Sequence, residues 1–218
     1  MEHGRSIFSN IRSFVIYLLS GNVGEILIVA AASLLGAPLP LLPLQILYLN
    51  AINDAFPALA LGLGEAERGI MHRPPRDPRE PILTARHWTA LAGYGALIAA
   101  SVLGAFFLSL EIFGFSRIQA LTVSFLCLAL SRLWHVFNMR EPHTGILKNQ
   151  VVVNTYVWGA LCLCVVLVLM AVLVPALRRI LSLTILPALG WAAVLGFSLI
   201  PLAVGQLALL WAGRTART

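Results

Sequence analysis

The sequence is too apolar for a soluble domain. Its 218 residues are 59% hydrophobic and 11% charged, with a mean hydropathy of +0.88 and a formal net charge of +6, whereas soluble domains carry about 25% charged residues. A basic soluble chain would suggest nucleic-acid binding, but these basic residues lie between apolar runs, as in membrane proteins. We therefore expect an all-α, polytopic membrane helix bundle that contacts lipid and no nucleic acid.

Six apolar runs are long enough to cross a bilayer, which takes about 20 residues. We predict one transmembrane domain, residues 1–218, with six spans. The predicted spans are at about 13–35, 42–63, 88–110, 119–137, 156–174 and 183–211. Prolines 74, 75, 78 and 81 exclude a helix from most of the charged connection at 64–87. Pro187 and Pro201 are expected to break the sixth span.

The positions of Lys and Arg predict the orientation in the membrane. With the N-terminus inside, the inner segments hold 11 of these residues and the outer segments hold three, Arg132 within a span being left out. Inner loops of membrane proteins are enriched in Lys and Arg, so we predict both termini in the cytoplasm and an even number of spans. The Ala/Leu/Arg-rich composition and short outer loops favour a bacterial inner (plasma) membrane. The polar start at Met1–Asn10 argues against a cleavable signal.

Polar side chains lie inside the first two predicted spans, where an ionisable residue costs about 2.5–3.5 kcal/mol. Asn22 and Glu25 are three residues apart, and Asn50, Asn53 and Asp54 have i, i+3, i+4 spacing, so each set shares a helix face. Two adjoining helices could then direct two carboxylates and three amide oxygens at one point. Such hard ligands predict a site for Ca²⁺, Mn²⁺, Mg²⁺ or a monovalent cation.

The backbone near these residues favours the same interpretation. Pro57 leaves the carbonyl of Asn53 without its helical partner, and Gly21 and Gly24 loosen the first span near Asn22. Irregular backbone inside a membrane is tolerated where it lines a cavity or is buried in protein. The alternative is that the Asn and Asp side chains form interhelical hydrogen bonds only.

Two basic residues in the fourth predicted span are candidate modulators of this site. Arg132 and His135 are three residues apart on one face. Arg132 either extends towards the cytoplasmic interface or pairs with Glu25 or Asp54, where it would act as a built-in cation and reduce the number of ions bound. His135 is a ligand, a proton carrier or a core histidine with satisfied hydrogen bonds.

The connection at 64–87 is long, basic and rich in proline, and it includes Arg73, Arg76 and Arg79. It is either a solvated determinant of topology or a docking surface for a cytosolic domain.

Three stretches give the sequence a family resemblance. They read NIRSFVIYLLSGNVGEI from Asn10, PLQILYLNAINDAFPALALG from Pro43 and GIMHRPPRDPREPI from Gly69. In this order the chain resembles the C-terminal transmembrane region of type II P-type cation ATPases, in particular calcium pumps of the sarcoplasmic-reticulum type and their bacterial relatives. The resemblance covers essentially the whole chain, most strongly residues 5–85, and implies that the six spans are the fifth to tenth helices of a pump.

The resemblance also implies roles for the polar residues. Asn22 and Glu25 match ion ligands of the fifth helix, and Asn50 and Asp54 match ligands of the sixth. Asn53 stands where calcium pumps usually carry Thr, which still offers an oxygen.

Two further expectations come from the resemblance. His135 falls where two-calcium pumps carry a ligating Glu, and Arg132 is one turn away, so we expect one bound cation per cycle. The connection at 64–87 would be the loop that meets the phosphorylation domain.

The catalytic parts of such a pump are not in this sequence. It has no DKTGT motif, no TGE loop and no P-loop, and phosphoryl transfer needs a positioned nucleophile and Mg²⁺-held phosphates. We therefore expect no catalytic residues and no ATP hydrolysis by this chain alone. ATP and Mg²⁺ would act only through the remainder of the ATPase, its N-terminal helices and its actuator, phosphorylation and nucleotide domains.

Three interpretations of the chain remain open from the sequence. The first is the ion-binding part of a pump, present as a split subunit, a truncated reading frame or an excised domain. The second is a membrane scaffold or remnant that does not transport. The third is a small stand-alone ion channel or carrier.

Overall fold

The computed structural model describes residues 2–62, 82–140, 145–146 and 149–215, and the regular structure in these ranges is helical, without strands. In chain order the helical segments are α1 (Glu2–Leu34), α2 (Pro43–Leu49), a π-helical segment (Asn50–Asp54), α3 (Ala55–Gly62), α4 (Ala85–Phe107), a second π-helical segment (Leu108–Ile112), α5 (Arg117–His135), a 3-10 turn (Val136–Met139), α6 (Gln150–Val153), α7 (Thr155–Leu173), α8 (Pro175–Ile180) and α9 (Ala188–Thr215). Arg73, Arg76 and Arg79 lie outside the described residues, as does most of the connection at 64–87.

Five helical stretches in the described ranges are long and apolar enough to cross a membrane. They are Asn10–Leu34, His87–Ile112, Arg117–Met139, Thr155–Leu173 and Ala188–Ala212. The predicted all-α, polytopic membrane bundle is therefore confirmed. The second predicted run is not one long helix, because α2, the first π-helical segment and α3 follow one another over residues 43–62. Pro57 lies in α3 and cannot donate a backbone hydrogen bond, which accounts for the irregular turn just before it.

α5 is the central helix of the bundle. In the most apolar part of its span, 89% of the residues are buried inside the protein, against 28–44% in the other four spans. It packs against α4, α7 and α9, while α1 packs against α4 and α3. The side chain of Gln119 caps the start of α5 by accepting a hydrogen bond from Ser116 N at 2.9 Å. Polar residues in the middle of α5, Arg132 among them, are thus presented to neighbouring helices rather than to lipid.

α9 runs through Pro201 instead of breaking there, and it begins directly after Pro187. Neighbouring polar side chains compensate for irregular backbone in membrane helices, and here they come from the 3-10 turn after α5 and from α9 itself. Asn138 Nδ2 donates to Pro201 O at 3.0 Å, and Gln206 Nε2 donates to Phe137 O at 2.9 Å. These hydrogen bonds hold α9 against the C-terminal end of α5.

The contact between α5 and α9 needs a glycine at position 205. A Cβ atom at Gly205 would overlap the amide of Asn138, and overpacking of this kind costs about 1–3 kcal/mol. We expect Gly205→Val to lower the midpoint of thermal unfolding of the protein in detergent. Gly196→Val on the same helix is the matched control, since a Cβ there meets no atom within 4 Å. Equal losses from the two variants would contradict this packing.

Candidate cation site

The two carboxylates predicted from the sequence meet at one guanidinium group. Arg132 on α5 donates through Nη1 to Glu25 on α1 and through Nη2 to Asp54 at the end of the first π-helical segment, forming an ion pair with each. Nη1 also donates to Asn50 Oδ1 at 2.9 Å. Three of the five predicted ligands therefore surround a single positive charge contributed by a third helix.

Burial explains why Arg132 pairs instead of extending to the interface. Its side chain is 1% exposed, and α5 is buried from Ala120 to Leu133. A buried guanidinium is costly unless charged and hydrogen-bonding partners compensate it. Arg132 therefore pairs with Glu25 and Asp54 and does not extend to the membrane interface. Two carboxylates and one guanidinium give the cluster a formal charge of about −1, counting each group as ionised.

No hydrogen bond joins Asn22 or Asn53 to the guanidinium, whose partners among the described residues are Glu25, Asn50 and Asp54. Asn53 Nδ2 donates to Ala129 O of α5 at 3.2 Å. Within the described ranges, the side-chain oxygens of both asparagines are buried without a hydrogen-bond partner. Buried polar atoms normally have a partner, so these two oxygens are available to a bound group.

A conventional metal cluster is not formed by the described residues. No group of three or more His, Cys, Asp or Glu side chains is arranged there to hold an ion. A cation bound at this place would therefore need amide oxygens in addition to Glu25 and Asp54. Such mixed carboxylate and amide sets suit hard cations.

Two carbonyl oxygens of the π-helical segment have side-chain partners on neighbouring helices. Tyr17 Oη donates to Asn53 O at 2.9 Å, and Cys164 Sγ lies 3.6 Å from Ile52 O. The carbonyl that Pro57 was expected to free is thus occupied by Tyr17 and is not open to an ion. Tyr17 was not among the predicted site residues. Its position two turns before Glu25 on α1 indicates a shared helix face, but not which atom of the opposing segment it contacts.

His135 lies in the core with both ring nitrogens near protein partners. Nε2 is 2.9 Å from Ser20 Oγ, and Nδ1 is 3.5 Å from Asn138 Nδ2, the second distance being long for a hydrogen bond. The ring packs edge-on against Tyr94, with centroids 4.5 Å apart, and stacks over Tyr17 at 6.1 Å. This environment favours the core-histidine interpretation over that of an ion ligand.

The fold and this cluster define a polytopic α-helical membrane protein with ionisable residues inside its bundle, where such residues usually mark an ion path. Residues 38–211 match the model of the family described as the C-terminus of cation-transporting ATPases. The chain belongs to that family, which confirms the resemblance noted in the sequence.

Curated relatives cover nearly all of this chain. It is 36% identical over 201 residues to a calcium-transporting ATPase of Bacillus subtilis, 92% of the chain being aligned. It is 30% identical over 222 residues to calcium-transporting ATPase 1 of Bacillus cereus, with 95% aligned, and 35% identical over 179 residues to a calcium-transporting ATPase of Listeria monocytogenes, with 82% aligned. The chain spans only 22%, 25% and 20% of these three relatives, respectively.

Removing the guanidinium should expose the repulsion between the carboxylates. Loss of one partner from a buried ion pair costs about 3–5 kcal/mol, so we expect Arg132→Gln to lower the unfolding midpoint in chelator and added Ca²⁺ to restore part of it. Arg117→Gln, at the exposed first turn of α5, is the matched control. Unchanged stability of Arg132→Gln, measured by thermal unfolding in detergent, would contradict the ion-pair geometry.

The hydroxyl of Tyr17 is expected to stabilise the π-helical segment. Tyr17→Phe leaves Asn53 O unpaired in the core, a loss of about 1–3 kcal/mol. The unfolding midpoint should fall, whereas Tyr156→Phe, at an exposed position on α7, should leave it unchanged. A similar midpoint for both variants would show that the hydroxyl does not hold the segment.

Proposed function

We propose that this chain is the ion-binding, membrane-anchoring part of an ATP-driven P-type pump that moves a hard cation, with Ca²⁺ as the first candidate and Mn²⁺, Mg²⁺ or a monovalent ion as alternatives. The observation that carries the proposal is the meeting of Glu25 and the partly exposed Asp54, from separate helical segments, at the buried guanidinium of Arg132. Membership of the cation-transporting ATPase family and similarity to proteins named calcium-transporting ATPases support it.

The proposed ligands are the five polar residues of the first two predicted spans. Glu25, Asp54 and Asn50 already surround a positive charge. Asn22 and Asn53 would contribute the buried side-chain oxygens that have no partner among the described residues. A bound cation would replace its water shell with these oxygens.

Arg132 would limit the number of ions bound. Because the guanidinium neutralises one of the two carboxylate charges, a single divalent ion already leaves the cluster with an excess of positive charge. A second would add repulsion that grows as the dielectric falls inside the protein. We therefore propose one cation per cycle, which enters as the guanidinium gives up at least one of its carboxylate partners. His135 is proposed only to support the core beside Arg132.

The energy would come from the remainder of the ATPase, which is the proposed partner of this chain. ATP and Mg²⁺ would bind there, and this chain would supply no catalytic residue. Relative movement of α1 and the π-helical segment would alter the separation of Glu25 and Asp54 and thus the affinity for the ion. We propose that the basic connection with Arg73, Arg76 and Arg79 docks the phosphorylation domain. The proposed location is a bacterial inner membrane, with both termini in the cytoplasm.

Asp54→Asn tests the ligand assignment because it keeps the shape of the side chain and removes its charge. Changes beside a metal ligand lower metal affinity about 10–100-fold, and we expect at least this loss for a ligand itself. The measurements are Ca²⁺-dependent ATP hydrolysis and Ca²⁺ uptake by vesicles that contain the complete ATPase.

The matched control is Glu111→Gln, at an exposed acidic residue of the second π-helical segment, which should leave both measurements unchanged. Unchanged Ca²⁺ dependence of Asp54→Asn would contradict the site. No response of the unmutated protein to any cation would favour the scaffold interpretation, and cation flux through liposomes that contain this chain alone would favour the channel or carrier.

A further inference from the structure

Gly21 of α1 lies against the guanidinium of Arg132. An ideal Cβ at position 21 would lie 2.6 Å from Nε, 2.7 Å from Nη2 and 2.8 Å from Cζ of that arginine. All three distances are below 3.0 Å, a separation that real Cβ atoms essentially never show. The guanidinium can therefore occupy its present position only when residue 21 has no side chain.

The guanidinium cannot move aside without changing its contacts. It is fully enclosed, and its Nη1 and Nη2 groups donate to Glu25, Asn50 and Asp54. Its Nε, next to Gly21, has no hydrogen-bond partner among the described residues. A methyl group on residue 21 would thus press on the unbonded edge of the guanidinium and displace it relative to its carboxylate partners.

We infer that Gly21 is a positioning residue, which sets how strongly the built-in positive charge of Arg132 competes with a transported cation. With glycine at this position the guanidinium reaches both carboxylates. With any larger residue it would be displaced, and a carboxylate would become available to an ion. The functional part of this inference rests on the proposed function, whereas the contact between Gly21 and Arg132 does not.

A double-mutant cycle in the complete ATPase tests the inference. The variants are Gly21→Ala, Arg132→Gln and their combination, and Gly93→Ala on α4 is the control, since a Cβ there meets no atom within 4 Å. One measurement is the Ca²⁺ concentration that half-activates ATP hydrolysis. The other is the unfolding midpoint in chelator, which does not depend on ion binding.

Residues in contact show coupling in such cycles that distant residues do not. With Arg132 present, Gly21→Ala should lower the half-activating Ca²⁺ concentration about fivefold or more, and with Gln at 132 it should change it by less than about twofold. The unfolding midpoint in chelator should fall on Gly21→Ala only when Arg132 is present. A purely structural role for Gly21 would produce the same shift in both backgrounds.

A failure of the inference about Gly21 and a failure of the proposed function would give different results in this cycle. Equal effects of Gly21→Ala in both backgrounds, or no effect in either, would overturn the inference. A third outcome is coupling in the unfolding midpoint without a Ca²⁺ response in any variant. It would support the contact between Gly21 and Arg132, but it would overturn the inferred effect of Gly21 on cation binding and contradict the proposed function. If Gly21→Ala alone does not fold, recovery of folding in the double variant supports the inference, and failure of both overturns it.

Discussion

Two carboxylates inside a membrane helix bundle require a positive charge nearby, and Arg132 provides it. Its partners come from α1 and the first π-helical segment, while the arginine itself lies on α5. Separating these elements would leave ionised groups unpaired in the core, at a cost of several kcal/mol for each ion. The same interaction therefore stabilises the cation-free bundle and occupies the place at which we propose that a cation binds, so binding and helix arrangement are linked through one cluster.

The irregular backbone beside this cluster is held by side chains from neighbouring helices. Asn50 and Asp54 are the first and last residues of the π-helical segment, and both contact the guanidinium. The hydroxyl of Tyr17 donates to the carbonyl of Asn53, so this carbonyl is paired although the segment lacks regular α-helical hydrogen bonds. Such a segment can rearrange at lower cost than a continuous α-helix, which suits the proposed exchange of its residues between Arg132 and an ion.

Periodicity and hydropathy predicted the long helices and the polar faces, because a membrane span needs length and low polarity, and residues three or four apart share a side of a helix. They did not predict the interruption of the helix over residues 43–62 or the continuity of α9 through Pro201. They could not decide between the two alternatives for Arg132, since pairing depends on how α5 packs among the other helices. The contact of Tyr17 with Asn53 and that of Gly21 with Arg132 were missed for the same reason. The atoms that Tyr17 and Gly21 contact become known only when the opposing helices are in place.

The central claim is that, without a bound cation, the guanidinium of Arg132 lies between Glu25 and Asp54. The most direct measurement is an experimental density map of the complete ATPase in chelator, at a resolution that shows side chains. The account predicts continuous contact of the guanidinium with both carboxylates and its close approach to the backbone of Gly21. A guanidinium directed towards the membrane interface, with the two carboxylates apart and solvated, would contradict it.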